Sequence, residues 1–186
     1  MALNNMKTAT ITFHAPNNNG SFLQAYALQK YITTHFDNVE NEIIDFQPES
    51  QQQQYAIFRK IHSKKDILRN LISSWHYKAL SKRFLAFSEM REKYLKMTKR
   101  CTTTEEAIKI AGNYDLVIAG SDQIWNTTAR DFSEAFFLPG ISKKSTYAVS
   151  CGSHLNEVDC DRICSAMETF ENVSVREIDT REFLEK

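Results

Sequence analysis

The sequence predicts an α/β protein with a parallel sheet of about five strands, and three observations support this fold class. Glycine and proline are scarce, with 5 and 3 in 186 residues, which argues against the many tight turns of a β-sandwich, barrel or propeller. Short β-branched stretches alternate with longer stretches of helical periodicity. The mainly apolar run YDLVIA at residues 114–119 is typical of a parallel strand that is covered on both faces.

The first elements form a βαβ unit. Residues 8–14, TATITFH, predict a strand that ends at the turn-like segment APNNNG. A helix follows from Ser21 to Phe36, and Ser21 and Gln24 have the spacing of a capping box. A second short strand is predicted at 42–46, EIIDF.

The segment at about residues 49–100 is predicted to be a helical insertion into the sheet topology. The glutamine run 51–54 is interpreted as a loop, and helical periodicity follows around 67–75 and 84–95. The alternation of strands and helices then resumes, with helices at 104–112, 157–170 and from 177 onward, and strands at 114–119, 145–150 and 173–175.

Charge is unevenly distributed although the whole chain is neutral. Residues 59–100 carry 13 basic and 3 acidic side chains, a net charge of +10, whereas the preceding and following segments carry net charges of −3 and −7. The basic block is either a solvated helical face, balanced in space by the acidic last third, or a surface for an anionic partner. Such a partner includes a membrane surface contacted through residues 59–100; nucleic acid is not expected.

Location follows from hydropathy and cysteine content. No apolar run approaches the ~20 residues of a membrane span, and the first residues lack the apolar core of a signal peptide. The four cysteines are interpreted as free thiols. We expect a cytoplasmic protein, either free or at the inner face of the membrane. Cys151, His154, Cys160 and Cys164 match no common zinc spacing, so no metal site is predicted.

The candidate site lies where the strands end, because ligands of open parallel sheets bind beyond the carboxyl ends of the strands. After the first strand, Asn19, Gly20 and Ser21 offer backbone N–H groups at a helix start to an anion or a sugar. Alternatively, Ser21 only caps its helix. His14 either contacts the ligand or is a buried structural histidine.

The loop after the strand at 114–119 has the richest chemistry. Asp122 could accept a proton from a sugar hydroxyl, or it could simply cap a helix. Trp125 offers a stacking face, or belongs to the core. The remaining substrate-binding candidates are small or polar residues of this loop and of the next strand-end loop: Gly120, Ser121, Gln123, Asn126, Ser150 and Gly152.

Five segments in this order resemble the N-terminal half of the polysaccharide pyruvyl transferase family: NNGSFLQAYALQKYI (18–32), NEIIDFQP (41–48), YDLVIAGSDQIWN (114–126), STYAVSCGS (145–153) and VSVREIDT (173–180). The resemblance implies a Rossmann-like domain, one of the two halves of a B-type glycosyltransferase fold. It also implies pyruvate transfer from phosphoenolpyruvate, as co-substrate and without another cofactor, to a sugar or lipid-linked glycan. The product is usually a ketal bridging two hydroxyls, made during cell-surface or exopolysaccharide synthesis.

The resemblance also implies two catalytic roles. Asp122 matches the position that could bind or deprotonate the acceptor. Arg176, in the SVRE-like match, is the candidate cation for the phosphate and carboxylate of phosphoenolpyruvate; the alternative is a salt bridge to Glu177 or to the acidic last third of the chain.

The extent of the resemblance implies that residues 1–186 are the first Rossmann-like half, with a boundary near residue 180. We expect the C-terminal domain to be absent, or supplied by a partner such as a second copy of the chain, and the isolated half to be inactive. Two other functions stay open: half of a nucleotide-sugar glycosyltransferase, and a non-catalytic module that binds glycans or anionic surfaces.

Overall fold

A parallel four-stranded sheet organises the chain, whose computed structural model describes residues 5–152 and 157–184. The strand order is β2-β1-β3-β4, with β1 at Met6–Ile11, β2 at Val39–Ile43, β3 at Leu116–Gly120 and β4 at Lys144–Tyr147. The helices are α1 (Asn19–His35), α2 (Glu49–Tyr55), α3 (Lys64–Trp75), α4 (Tyr77–Tyr94), α5 (Thr104–Ala111), α6 (Glu157–Met167) and α7 (Ile178–Leu184), with a 3₁₀ helix at Glu134–Phe137. The predicted Rossmann-like α/β fold class is confirmed, although the sheet has four strands rather than about five.

The predicted strand at 173–175 is wrong in detail. The backbone there runs parallel to β4 but makes only isolated bridges, Ser145 to Asn172 and Val149 to Val175. Side chains replace part of the backbone ladder, because the Ser174 N–H donates to Thr146 Oγ1 at 2.7 Å rather than to a carbonyl. A second such segment, which the sequence did not predict, follows β2 through isolated bridges at Met97 and Cys101.

Helix α1 begins earlier than predicted and uses a different cap. Asn18 is the N-cap residue, and its side-chain oxygen accepts a hydrogen bond from the Gly20 N–H at 2.8 Å. Ser21 is buried inside the first turn, so the capping box of Ser21 and Gln24 is not formed. Gln24 is instead free to reach the strand ends.

The inserted segment is helical, as predicted, with one difference. Residues 51–54 lie inside α2 and not in a loop. Pro48 precedes this helix and Glu49 occupies its first turn, where a carboxylate is favourable. Helices α3 and α4 match the predicted periodicity, and Ser63 caps α3 by accepting from the Asp66 N–H. The second strand ends three residues earlier than predicted, at Ile43.

The core surrounds the central strands. Fully buried side chains of β1 and β3, such as Ile11 and Val117, pack with Trp125, Phe136 and Val149 from the strand-end loops and the 3₁₀ helix. Since the loops contribute large core residues, their backbones are anchored beside the carboxyl edge of the sheet.

Candidate functional site

The topology creates a crevice between β1 and β3. From β1 the chain proceeds to β2 on one side, and from β3 it proceeds to β4 on the other. Adjacent parallel strands whose connections leave in opposite directions leave a crevice at their carboxyl ends, where ligands of open α/β sheets bind. The pairing of Ile11 with Ala119 places the loops that begin at Thr12 and Ser121 side by side.

Gln24 of α1 joins the two loops across this crevice. Its Nε2 donates to Thr12 Oγ1 at 3.0 Å and to the Phe13 carbonyl oxygen at 2.8 Å. Its Oε1 accepts from the Ser121 hydroxyl at 3.1 Å and from the Ser121 N–H at 3.3 Å. The side chain therefore fixes the loop after β1 against the loop after β3, a role that the sequence did not reveal.

Hydrogen bonds fix both the side chain and the backbone of Asp122 beside the crevice. One carboxylate oxygen accepts from the Gln123 N–H at 2.8 Å, and the Ser21 hydroxyl hydrogen-bonds to the carboxylate. The Asp122 carbonyl oxygen accepts from the Ser150 N–H at 3.0 Å. The first turn of α1 and the loop after β4 thus meet at Asp122, which does not cap a helix.

Arg176 reaches the same loop from the segment beside β4. Its guanidinium donates to the Ser121 carbonyl oxygen at 2.6 Å. Burial raises the pKa of Asp122 above its ordinary value, although the Gln123 N–H, the Arg176 charge and Ser21 partly offset this effect. A half-buried carboxylate of raised basicity beside an exposed guanidinium is a pair suited to proton abstraction next to a bound anion.

The family is decided by comparison with known proteins. A family model described as polysaccharide pyruvyl transferase matches residues 18–186. The chain belongs to the polysaccharide pyruvyl transferase family. No curated protein and no solved structure matches the chain with significance. The match covers α1 and the loops after β3 and β4, but not residues 12–17 of the loop after β1. Most of the candidate site residues therefore lie within the range that assigns the family.

Two glycines permit close packing of the site loops. Gly120 has a φ of +130°, and a Cβ there would overlap the Tyr147 carbonyl oxygen. Gly152 has a φ of +78°, and a Cβ there would lie 2.7 Å from Asn126 Nδ2. Asn126 and Gly152, both predicted site residues, are therefore in direct contact, and Ser150 supports Gly152 by accepting its N–H at 3.2 Å.

Three predicted residues lie on the rim. Asn19 and Gly20 are exposed at the start of α1, but the Gly20 N–H is already bonded to the Asn18 side chain. Because of this bond, the Gly20 N–H is not available to an anion, contrary to the prediction for the start of this helix. The side chain of Gln123 is exposed beside Asp122.

The two predicted site residues with ring side chains are buried instead of facing the crevice. Trp125 is fully buried, packs against Phe137 and Phe170, and donates its indole N–H to the Phe136 carbonyl oxygen. It belongs to the core, which was the alternative interpretation of the sequence, and it has no exposed face for a sugar.

His14 is the second buried residue. Its Nδ1 lies 3.1 Å from the Thr12 carbonyl oxygen and its Nε2 lies 2.9 Å from Asp45 Oδ1. Both nitrogens therefore have a partner inside the protein, one on the backbone and one on the Asp45 carboxylate. His14 is therefore a buried structural histidine, the alternative interpretation of the sequence. Its contacts connect the end of β1 to the segment after β2.

An open cavity of about 570 Å³ adjoins the crevice between the inserted helices and the loops after β1 and β2. A wider groove of about 930 Å³ separates α3 and α4 from the start of α1. Arg91 and Arg100 line the cavity. Both arginines belong to the basic block, residues 59–100. Counting charges in the sequence could not show which basic residues of this block line a site and which are solvated.

Among residues 5–152 and 157–184, no group of three or more histidine, cysteine or acidic side chains is placed to hold a metal ion. Cys160 and Cys164 approach within 3.7 Å between sulfur atoms on α6, Cys151 is buried, and His154 lies outside the described residues. Within the same ranges, no helix combines the length and hydropathy needed to cross a membrane.

Proposed function

We propose that the chain provides the acceptor-activating half of a pyruvyl transferase that uses phosphoenolpyruvate and a sugar hydroxyl pair in cell-surface or exopolysaccharide synthesis. The observation that carries this proposal is the convergence of Asp122, Ser21 and Arg176 on one loop at the switch point of the sheet. Family membership supports the transferase class, and the residues at the site support the substrates.

In the proposed reaction, Asp122 takes the proton of an acceptor hydroxyl while the hydroxyl oxygen bonds to the central carbon of phosphoenolpyruvate. An acid delivers a proton to the methylene carbon, which becomes the methyl group. A second hydroxyl then attacks the same carbon, loses its proton and displaces phosphate, which closes the ketal. Arg176 neutralises the carboxylate or phosphate of the donor during these steps.

The proposal also covers the acceptor, the cellular location and the second half of the enzyme. The acceptor is a sugar or a lipid-linked glycan, and no cofactor besides the co-substrate is needed. The four cysteines are free thiols in the structure, which supports a reducing, cytoplasmic location. The acid for the methylene carbon is assigned to the second half expected from the family, supplied by another domain or another copy of the chain.

Donor binding tests the proposal directly. Isothermal titration of the 186-residue chain with phosphoenolpyruvate should give binding that Arg176→Ala weakens and Lys109→Ala, a distant exposed change on α5, does not. A nucleotide diphosphate sugar is the competing donor. Binding of that compound, with no binding of phosphoenolpyruvate, would support the glycosyltransferase alternative and contradict this proposal.

A second candidate function, binding to an anionic membrane surface, is favoured by the orientation of α3. The buried Ser73 and the half-buried Asn70, which is hydrogen-bonded to Arg59, face the protein. The apolar side chains of the helix share the opposite, exposed face: Ile67, Leu68, Leu71, Ile72 and Trp75. Trp75 is 89 % exposed, which is unusual for tryptophan.

Charge identifies the occupant of that face. Lys64, Lys65 and Arg69 are on the same helix as the apolar face, and Asp66 is the one acidic residue of the helix. A tryptophan-bearing apolar face with basic flanks is typical of helices that lie in the headgroup region of anionic bilayers. Self-association through this face would place two basic surfaces against each other and is electrostatically unfavourable.

Vesicle binding tests this second function. The full chain should sediment with phosphatidylglycerol vesicles and not with phosphatidylcholine vesicles. Its emission should shift to the blue, which reports on Trp75 because Trp125 is already buried. Leu71→Glu should abolish both signals, whereas Leu23→Glu, on the exposed side of α1, should not. Equal binding to both lipids, or a dimer that Leu71→Glu dissociates in analytical ultracentrifugation, would contradict it.

A further inference from the structure

The cavity of about 570 Å³ beside the crevice is lined by cations without any carboxylate. Its charged lining residues are Arg91 and Arg100, and no acidic residue of the described chain lines it. Its volume lies within the range of small-molecule sites.

Arg91 is the most informative of these residues. It is only 7 % exposed, and its Nη1 donates to the Ala15 carbonyl oxygen at 2.9 Å and to Asn17 Oδ1 at 3.3 Å. Among the described residues no carboxylate forms an ion pair with it. A buried guanidinium without a carboxylate is costly unless an anion is bound beside it.

The neighbouring carboxylate, Asp45, already has two partners on other residues. Its Oδ1 contacts His14 Nε2 at 2.9 Å, and its Oδ2 contacts Arg100 Nε at 3.2 Å. Gln47 also donates to it at 2.6 Å. Arg91, Arg100 and Asp45 together carry one excess positive charge at the wall of the cavity.

Two further features of the cavity wall indicate which other groups its ligand carries. Gln51 is 3 % exposed and lines the cavity, and its side-chain oxygen has no hydrogen-bond partner in the described part of the chain. This oxygen is an unused hydrogen-bond acceptor on a residue of the cavity wall. Phe58 and Tyr77, stacked with ring centroids 5.8 Å apart, and Phe84 form an aromatic wall, a surface on which the C–H face of a sugar ring can pack.

We propose that this cavity binds a sugar bearing a carboxylate or a phosphate, with the anionic group on Arg91 and Arg100 and a hydroxyl on Gln51. The inference rests on the proposed function only in assigning this sugar to the acceptor. The cavity lies next to the loop after β1, and Tyr55 is one of its lining residues. The Tyr55 hydroxyl donates a hydrogen bond to the Asp131 carboxylate at 3.4 Å. Asp131 in turn acts electrostatically on Asp122. Because Ala15 and Asn17 of the loop after β1 also line the cavity, an acceptor held here would lie beside the crevice that contains the proposed base.

Calorimetric titration of the 186-residue chain with matched probes tests the inference. Methyl β-glucuronide or glucose 6-phosphate should bind at least about tenfold more tightly than methyl β-glucoside, the loss expected for a charge-assisted contact. The two anionic probes distinguish a carboxylate ligand from a phosphate ligand. Equal affinity for the charged and neutral sugars would overturn the proposal.

Variants separate the contacts. Arg91→Gln should remove the preference for the charged probes, and Gln51→Leu should weaken all three sugars while leaving the preference in place. Lys109→Gln is the matched control for charge. If Arg91→Gln does not fold, Arg100→Gln carries the same test, because the Arg100 side chain is largely exposed and should tolerate the change. A preference that both Arg91→Gln and Arg100→Gln leave intact would also overturn the proposal.

Competition and activity distinguish this inference from the proposed function. Displacement of the glucuronide by phosphoenolpyruvate would assign the cavity to the donor and overturn the inference. Asp122→Asn should leave probe binding unchanged. Pyruvyl transfer without any preference for acidic acceptors contradicts only the inference, whereas acidic-sugar binding by a chain that does not bind phosphoenolpyruvate contradicts only the proposed function.

Discussion

The guanidinium of Arg176 donates a 2.6 Å hydrogen bond to the carbonyl oxygen of Ser121, 55 residues away in the sequence. This bond attaches the segment beside β4 to the loop after β3. It brings the cation proposed for donor binding to the loop that carries the proposed base, Asp122. Because the acceptor is a backbone carbonyl and not a carboxylate, this hydrogen bond does not neutralise the charge of Arg176.

Asp122→Asn should abolish pyruvyl transfer while the protein stays folded, because an amide cannot take the hydroxyl proton. The assay measures phosphate release in the form that transfers pyruvate, either the chain alone or the chain with the second half expected from the family. Lys109→Ala, an exposed change on α5, is the control. Near-normal turnover of Asp122→Asn would remove this carboxylate from the mechanism.

The same substitution should stabilise the protein near neutral pH. The fold raises the pKa of Asp122, chiefly through burial, so the ionised carboxylate costs stability above its folded pKa and none below its ordinary pKa. Asp122→Asn should therefore increase the free energy of unfolding more at pH 7 than at pH 4. Urea titrations at the two pH values measure this difference, and the opposite order would contradict the direction of the pKa shift.

Arg176→Ala should raise the dissociation constant for phosphoenolpyruvate by about ten- to a hundredfold, corresponding to the loss of about 1.5–3 kcal/mol for a charge-assisted contact. Arg176→Lys should recover part of the affinity, because it keeps the charge but loses the planar donor geometry. Titration calorimetry gives both values. An unchanged dissociation constant in Arg176→Ala would exclude the donor role.

Gln24→Leu should lower the free energy of unfolding by about 1–3 kcal/mol, because the Phe13 carbonyl and the Ser121 N–H lose their partner. Urea denaturation measures the change. Gln123→Leu, at an exposed position, is the matched control and should have a small effect. Equal losses in the two variants would show that Gln24 does not join the loops.

Acid should destabilise the protein through Asp45. Burial raises the pKa of Asp45, but His14, Gln47 and Arg100 outweigh burial and lower it to about 2, from an ordinary 3.8. A depressed folded pKa contributes stability above pH 4, which is lost as the pH falls from about 4 to about 2 and amounts to about 2 kcal/mol. Asp45→Asn should flatten this part of the stability profile, and Asp37→Asn, an exposed control, should not.

The sequence alone determined the fold class and selected the loops that form the candidate site. Apolar strands, scarce turns and helical periodicity report on local structure and on burial, and they sufficed for the parallel sheet and for the helical insertion. The strand-end rule then selected the loops of Ser21, Asp122 and Arg176, which the structure brings together. These features depend on residues that are close together in the sequence, so the pattern of the sequence is enough to predict them.

Only the tertiary structure decided which polar and aromatic residues are available to a ligand. Trp125 and His14 follow strands just as Asp122 does, yet packing buries the first, and a contact with the Asp45 carboxylate holds the second. Gln24 suggested a helix cap, but its hydrogen bonds reach across the crevice to a loop 97 residues away. Arg91 was one cation among 13 in the basic block, and only its burial distinguishes it. Burial and long-range hydrogen bonding depend on which segments meet in space, and no local pattern records them.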